Sequence, residues 1–223
     1  MPSTFFFPCM ASMVPETANL TIVKYGTPQA KVFYWNTQEW NKIETAALEL
    51  ESMRDYVNET IATFGDELNS YIQKESRFDE VDINDLSLYT SAEAEGKRCN
   101  LVKYVELGSN LDFLSDGIEI VDTPGLDDPV IQREEITKEY ISQCDMMLHL
   151  MNVSQSATQK DIEFIIDALV YQNVTKLLIV ITKADTVEKE ELHEVIEYVK
   201  KTIRKRIQEI GNSKLDFILQ NSM

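Results

Sequence analysis

Apolar residues recur along the second half of the chain in two alternating patterns. Short apolar runs favour strands, whereas apolar positions at three- and four-residue steps favour helices. Strands are predicted at residues 101–107, 117–121, 146–153, 177–181 and 215–219. Helices are predicted at residues 132–143, 158–171 and 188–210, with Gly211 as the C-cap of the last. The apolar run at 177–181 is typical of a strand that is buried on both faces.

The beginning of the chain predicts a β-hairpin. Residues 20–25 alternate as a strand does, and Gly26, Thr27 and Pro28 follow as turn residues. Residues 31–35 are the expected hairpin partner. Residues 1–14 are rich in aromatic residues and methionine and show no periodicity.

A helical stretch separates this hairpin from the later alternation. Residues 38–64 carry side chains at helical spacing, most of them apolar: Trp40, Ile43, Ala47, Leu50, Met53 or Arg54, and Val57. A shorter helix is predicted at 67–73, and the polar, acidic residues 74–98 favour loops. We therefore predict a single α/β domain over residues 1–223 with a mostly helical insertion at about 37–98.

Strands that alternate with helices predict a mostly parallel sheet with helices on both faces. In such sheets, ligands bind beyond the carboxyl ends of the strands. The side chains that follow the predicted strands are therefore the first candidates for a functional site.

Composition excludes several classes of partner and location. The formal net charge of −17 argues against nucleic acid as a partner, because phosphates need basic surfaces. The basic residues Lys200, Lys201, Arg204, Lys205 and Arg206 are interpreted as a solvated helix face. Three widely spaced cysteines indicate free thiols in a reducing compartment, and no apolar run is long enough for a membrane helix. We expect a cytoplasmic protein.

The first candidate string is Asp-Thr-Pro-Gly at 122–125, directly after a predicted strand. An aspartate at a strand end can hold a water of a magnesium ion beside phosphates. Gly125 offers a backbone N–H that could reach a γ-phosphate, because no Cβ obstructs it. The alternative is an ordinary turn. The string predicts Asp122 as a metal-side residue and Gly125 as a nucleotide contact.

The second string is Thr-Lys-Ala-Asp at 182–185, after the strand predicted at 177–181. The stem of Lys183 can lie along a purine, and the carboxylate of Asp185 can accept hydrogen bonds from N1–H and the exocyclic amine of guanine. Adenine lacks that pair of donors, so the contact would select GTP over ATP. Thr182, Lys183 and Asp185 are thus predicted to contact a guanine nucleotide. The alternative is a polar strand exit with a helix cap.

Three further positions bear on catalysis. Thr17 precedes the first strand and is the candidate catalytic threonine, whose hydroxyl would complete the magnesium shell. Leu126 follows Gly125, where glutamine would be needed to orient an attacking water. The phosphate loop G-x-x-x-x-G-K-[ST] does not occur in these 223 residues. His149 and His193 are predicted to be structural.

A family resemblance follows from these residues. The run 118–126, the string at 182–185 and the segment 14–18 with Thr17 resemble the dynamin-like large GTPases, especially the bacterial ones. The resemblance implies a P-loop GTPase-like sheet, binding of GTP or GDP with magnesium, and GTP hydrolysis. It also implies self-association or pairing with another dynamin-like chain, and peripheral membrane remodelling through regions outside these residues, such as at an inner membrane.

The missing phosphate loop leaves alternatives open. The first is an incomplete GTPase domain that lacks its first strand and loop, as a split or truncated gene product would. The second is a non-catalytic regulatory or interaction module, and the third is a non-functional fragment. In the first case we expect this chain alone to bind nucleotide weakly and to be inactive.

Overall fold

In the computed structural model, which describes residues 19–124, 131–172 and 174–210, the chain divides into two units. The first is Met1–Thr137 and the second Lys138–Met223. The predicted strand at 215–219, Gly211, Thr17 and Gly125 lie outside the described residues. The two units are described separately below.

Within its described part, the first unit contains a mixed five-stranded sheet. Its strands are β1 (Leu20–Tyr25), β2 (Ala30–Tyr34), β3 (Phe78–Val81), β4 (Val102–Ser109) and β5 (Ile120–Asp122). Their order is β3-β2-β4-β1-β5. Only β1 and β4 run parallel, and the other three neighbouring pairs are antiparallel. The α/β class is as predicted, but this sheet is mixed rather than mostly parallel.

The predicted hairpin of β1 and β2 is wrong, because β4 lies between these strands. The turn after β1 passes over the end of β4, where Gly108 N donates to Gln29 O at 2.9 Å. A Cβ at Gly108 would stand 2.1 Å from Thr27 O, so only glycine allows this approach. Turn residues between two strands mark a change of direction, but they do not say which strands pair.

The helical stretch after β2 contains two helices instead of one. Helix α1 (Thr37–Glu49) begins with a capping box, in which Asn36 and Glu39 each accept the other's backbone N–H. Helix α2 (Glu51–Phe64) follows directly, and Leu50 between them is extended and exposed. Arg54 donates to the carbonyls of Ala47 and Leu48, which satisfies acceptors at the end of α1. The other predicted apolar positions are buried: Trp40, Ile43, Ala47, Met53 and Val57.

Residues 74–98, predicted as loops, include a strand of the sheet. The order here is the short helix α3 (Leu68–Tyr71), strand β3, and the short helix α4 (Ser87–Thr90). Strand β3 pairs with β2 and has little apolar alternation. Side-chain contacts organise it instead, since Asp79 accepts hydrogen bonds from Tyr34 and from Arg77. The segment 37–98 is therefore helical at its start and joins the sheet near its end.

The second unit contains a parallel pair of strands and helices on one side of it. The strands are β6 (Met147–Asn152) and β7 (Leu177–Thr182). Helix α5 (Ile131–Gln143) spans the boundary between the units, and α6 (Gln159–Val170) and α7 (Lys189–Ile210) belong to the second. The buried core of this unit is formed by Ile141, Met147, Met151, Ala157, Ile162, Ile165, Ala168, Leu169, Val174, Val199, Ile203 and Ile207.

The opposite face of this strand pair is apolar and exposed. Leu148, Leu150 and Leu178 are 53%, 58% and 49% exposed. The prediction that β7 is fully buried is therefore wrong. Composition reveals that both faces are apolar, but it does not reveal whether each face is covered. Among the described helices, none is both long and apolar enough to cross a membrane.

Candidate functional site

Asp122 ends the edge strand β5 of the first unit. It pairs in register with Thr21 of β1, and its side chain is exposed. Pro124 is buried two residues later, which anchors the backbone just beyond the strand. An exposed carboxylate at a strand end suits a magnesium ion that keeps most of its waters. Among the residues that the structure describes, no three His, Cys, Asp or Glu side chains form a metal-binding group.

The Thr-Lys-Ala-Asp string forms a tight turn at the carboxyl end of β7. Thr182 is the last residue of the strand, and its hydroxyl donates to Met151 O of β6 at 3.2 Å. Residues Ala184–Thr186 form one 3₁₀ turn. Thr186 closes this turn by donating its N–H and its hydroxyl to Lys183 O, at 3.1 and 2.7 Å. The loop is therefore held by backbone and hydroxyl contacts, which leaves the exposed side chains of Lys183 and Asp185 for a ligand.

Lys183 has a left-handed backbone conformation, with φ 55° and ψ 31°. For a residue with a Cβ, this conformation costs about 1–2 kcal/mol, whereas glycine adopts it freely. Such strain is concentrated at functional sites. The strained backbone together with an exposed side chain supports a functional role for Lys183.

Sequence reasoning missed the loop that neighbours this turn. Strands β6 and β7 are parallel, and Asn152 at the end of β6 is in register with Thr182. The side chain of Asn152 accepts hydrogen bonds from the N–H and hydroxyl of Ser154, and Ser156 donates to its carbonyl. The signal was present as a run of asparagine and serines directly after an apolar strand. This polar turn lies beside the Thr-Lys-Ala-Asp turn at the same edge of the strand pair.

His149 and Asp161 connect β6 to the start of α6. Asp161 forms a capping box with Thr158, and its Oδ1 lies 3.0 Å from Nε2 of the buried His149. The carboxylate can only accept, so Nε2 of His149 carries the proton. Burial acts to raise the pKa of Asp161, but hydrogen bonds from Thr158 and His149 outweigh it and hold the pKa below its usual range. This contact fixes the helix on the strand, remote in sequence from both candidate strings.

The described cysteines are free thiols, in agreement with their spacing. Cys99 is buried and Cys144 is half-buried. Burial raises the pKa of both thiols, which keeps them protonated at neutral pH.

The two candidate strings belong to different units. Asp122 lies in the first unit, and Thr182, Lys183 and Asp185 lie in the second. Within each unit the string follows the end of a strand, as predicted. That both strings contact one nucleotide stays a prediction.

Residues 6–184 match the Dynamin family, and the chain therefore belongs to this family. The resemblance noted in the sequence is thereby confirmed. The matched region includes both candidate strings up to Ala184.

Two curated relatives match the chain over different lengths. The chain is 37% identical over 211 residues to "Dynamin-like protein 1" of Campylobacter jejuni subsp. jejuni serotype O:23/36 (strain 81-176). The match covers 93% of this chain and 28% of that protein. A second relative, an "Uncharacterized protein in xynA 3'region" of Caldicellulosiruptor sp. (strain Rt8B.4), is 29% identical over 125 residues, 56% of this chain and 31% of its own length. The chain thus spans less than a third of either relative.

Two similar solved structures indicate which fold the chain has. A chain from "An oligomerised bacterial dynamin pair provides a mechanism for the long range sensing and tethering of membranes" has a TM-score of 0.69 and 35% sequence identity. The match covers 92% of this chain and 28% of that one. A second structure of such a pair has the same TM-score at 36% identity, over 91% of this chain and 27% of its own. The fold is therefore that of dynamin GTPases.

Proposed function

We propose that this chain supplies the guanine-reading and magnesium-side loops of a dynamin-family GTPase. The observation that carries the proposal is the Thr-Lys-Ala-Asp turn, where a strained, exposed Lys183 precedes an exposed Asp185 at the end of a strand. Asp185 would accept two hydrogen bonds from guanine, and Lys183 would lie along the purine. Family membership supports a guanine nucleotide as the ligand.

The residues present also fit a magnesium ion on the phosphate side. Asp122 would hold one of its waters, Thr17 would bind through its hydroxyl, and Gly125 would contact the γ-phosphate. In P-loop enzymes the ion and the phosphates are held mainly by the phosphate loop, which these 223 residues lack. We therefore expect weak nucleotide binding and negligible GTP hydrolysis from these residues alone.

The wider role would be membrane remodelling from the cytoplasmic side. The similar solved structures are of oligomerised dynamin pairs that sense and tether membranes. By analogy, a protein that contains this chain would associate with itself or with another dynamin-like chain, and would contact a membrane peripherally.

The guanine site is tested by titrating the full chain with a fluorescent GTP analogue and competing it with GTP, ATP and XTP. We expect dissociation constants weaker than micromolar, with GTP competing better than ATP. The Asp185→Asn variant should lose the preference for GTP over XTP. Xanthine carries a carbonyl where guanine carries the exocyclic amine, and the amide N–H of the variant can donate to that carbonyl, which a carboxylate cannot. Asp145→Asn is the matched control, since this exposed aspartate precedes β6 at the other end of the strand pair.

The results separate the alternatives. An unchanged preference in Asp185→Asn would remove this residue from the site. Micromolar or tighter binding would contradict the expected need for a phosphate loop. No competition by any nucleotide, together with nucleotide-independent capture of a dynamin-family chain, would favour the non-catalytic module.

A further inference from the structure

The outward face of α7 carries two blocks of opposite charge. The helix buries Val199, Ile203 and Ile207 on its inner side. At 100° per residue, the residues opposite this stripe are Glu190, Glu194 and Glu197, followed by Lys201, Arg204 and Lys205. All six are exposed. The outer surface is therefore acidic in its first half and mainly basic in its second half, where Glu209 is also exposed.

The helix itself accounts for only part of this pattern. Acidic residues near a helix start and basic residues towards its end complement the helix dipole. Lys200 pairs with Glu197, and Lys205 and Arg206 both pair with Glu209. In the part of the chain that the structure describes, however, Glu190, Glu194, Lys201 and Arg204 form no ion pair. Both blocks thus retain charges that form no ion pair among the described residues.

The two blocks are self-complementary for an antiparallel pair of helices. If a two-fold axis passes beside position 199, residue 197 of one copy faces residue 201 of the other. Residue 194 then faces 204, so two of the three acidic side chains meet a basic one, and each pairing occurs twice, whereas Glu190 faces Gln208. A parallel pair would instead place acidic residues against acidic ones. Tyr198, which is 58% exposed, would lie next to the axis, where its ring could pack against its symmetry mate.

We propose that α7 pairs antiparallel with α7 of a second copy of this chain. The partner is a second copy because the complementary surface is the helix itself, and such an interface is isologous. The pairing goes beyond the proposed function, since it uses no residue of the candidate nucleotide site and needs no nucleotide. Exposed ion pairs contribute little each, so the association is weak and falls with ionic strength.

The first test reverses the charges of each block. The Glu194→Lys/Glu197→Lys variant leaves Glu190 as the acidic residue of the first block, and the Lys201→Glu/Lys205→Glu variant leaves Arg204 as the basic residue of the second, so each outer face becomes mainly one sign. In sedimentation velocity of the full chain, we expect the unmodified chain to dimerise at about 50 mM salt and to dissociate at about 500 mM, where screening is much stronger. Each variant alone should be monomeric, and an equimolar mixture should form heterodimers.

The matched control places the same charge change on another exposed helix face. Glu44→Lys/Glu49→Lys lies on α1, where both residues are exposed. This variant should dimerise like the unmodified chain and should not form heterodimers with the Lys201→Glu/Lys205→Glu variant. Circular dichroism of every variant should match the unmodified chain, because all substituted side chains are exposed. A monomer at low salt, or a mixture that stays monomeric, would overturn the proposal.

The second test determines the direction of pairing. In a Cys9→Ser/Cys144→Ser background, Tyr198→Cys should cross-link to itself with a short bis-thiol reagent. Glu190→Cys, on the same outer face, should not, because antiparallel helices place the two copies of this residue roughly 27 Å apart at 1.5 Å per residue. Equal cross-linking at both positions would indicate a parallel pair and would contradict the antiparallel arrangement.

Discussion

At the scale of single residues, two lysines share an uncommon backbone conformation but differ in their setting. Lys97 has φ 47° and Lys183 has φ 55°. The Lys97 ammonium donates to Ala92 O at 2.8 Å and lies 3.7 Å from Glu59, so its side chain serves local structure. Lys183 is exposed at the end of β7. The pair allows backbone strain to be separated from ligand binding.

Replacing each lysine by glycine tests this separation. Glycine relieves left-handed strain but costs entropy in the unfolded chain, so Lys183→Gly should change the free energy of unfolding by no more than about 1 kcal/mol, in the stabilising direction. The free energy of unfolding of Lys97→Gly should be similar, or slightly lower because the contacts of the Lys97 side chain are lost. Only Lys183→Gly should weaken competition by GTP in the fluorescence titration. A loss of competition in both variants would show that the lysine at 183 has no special role.

Asp161 makes the stability of the second unit depend on pH in acid. Its folded pKa lies below its usual range, so its contribution is present above the unfolded pKa of about 3.9 and is lost as pH falls through the folded pKa. Asp161→Asn removes this term. The difference in urea unfolding free energy between the unmodified chain and the variant should be constant from about pH 7 to 5 and should shrink below about pH 4. A difference that stays constant into that acidic range would contradict the assignment.

At the scale of elements, the strand pair of the second unit has one covered and one exposed face. Leu169 on α6 is 2% exposed and packs in the core beneath the covered face, whereas Leu150 on β6 is 58% exposed. Leu169 therefore tests the packing against the covered face of the strand pair, and Leu150 tests the exposed face.

Truncating these leucines should have unequal effects. Leu169→Ala leaves a cavity and should lower the free energy of unfolding by about 2–5 kcal/mol. Leu150→Ala should change it by less than about 0.5 kcal/mol, as at other exposed positions. Chemical denaturation of both variants measures the contrast. A large loss in Leu150→Ala would mean that this face is covered in solution.

The turn over β4 gives a second contrast between matched residues. Gly108→Ala would place its Cβ 2.1 Å from Thr27 O, which requires the turn to move and should cost about 1–3 kcal/mol or more. Gly26→Ala meets its nearest neighbour, Gly108 Cα, at 3.9 Å and should be nearly neutral. Thermal unfolding of the two variants tests this. Equal midpoints would show that the turn adapts without cost.

The sequence predicted elements better than it predicted how they pair. Helix α7 was found from its spacing because Val199, Ile203 and Ile207 lie on one buried stripe. Strand β3 was missed because its residues are held by Arg77 and Tyr34 rather than by apolar alternation. The position of β4 between β1 and β2 depends on contacts between residues far apart in sequence, which local patterns do not encode.

The chemistry assigned to Asp122 and Asp185 comes from the strings that follow each strand, and it stays a prediction. The left-handed conformation of Lys183 and the polar turn at Asn152 could not be inferred from the sequence, because they depend on backbone torsion and on the parallel register of β6 with β7.

At the scale of the whole molecule, a formal net charge of −17 opposes the folded state through self-repulsion. Added salt screens this repulsion, so the thermal midpoint of the full chain should rise between about 20 mM and 300 mM sodium chloride. Differential scanning calorimetry measures the trend, and an uncharged osmotic control such as sucrose separates screening from general stabilisation. A midpoint that falls with salt would mean that favourable ion pairs dominate.

The strand order of the first unit also sets the sequence of events during translation. Strands β1 and β2 leave the ribosome before β4, so neither has its central neighbour until the segment Val102–Ser109 has been made. Until then both expose unpaired backbone edges to other nascent chains. Ribosomes stalled ahead of Val102 should therefore display the nascent chain in a form that chaperones bind, and release from them should begin only once β4 emerges.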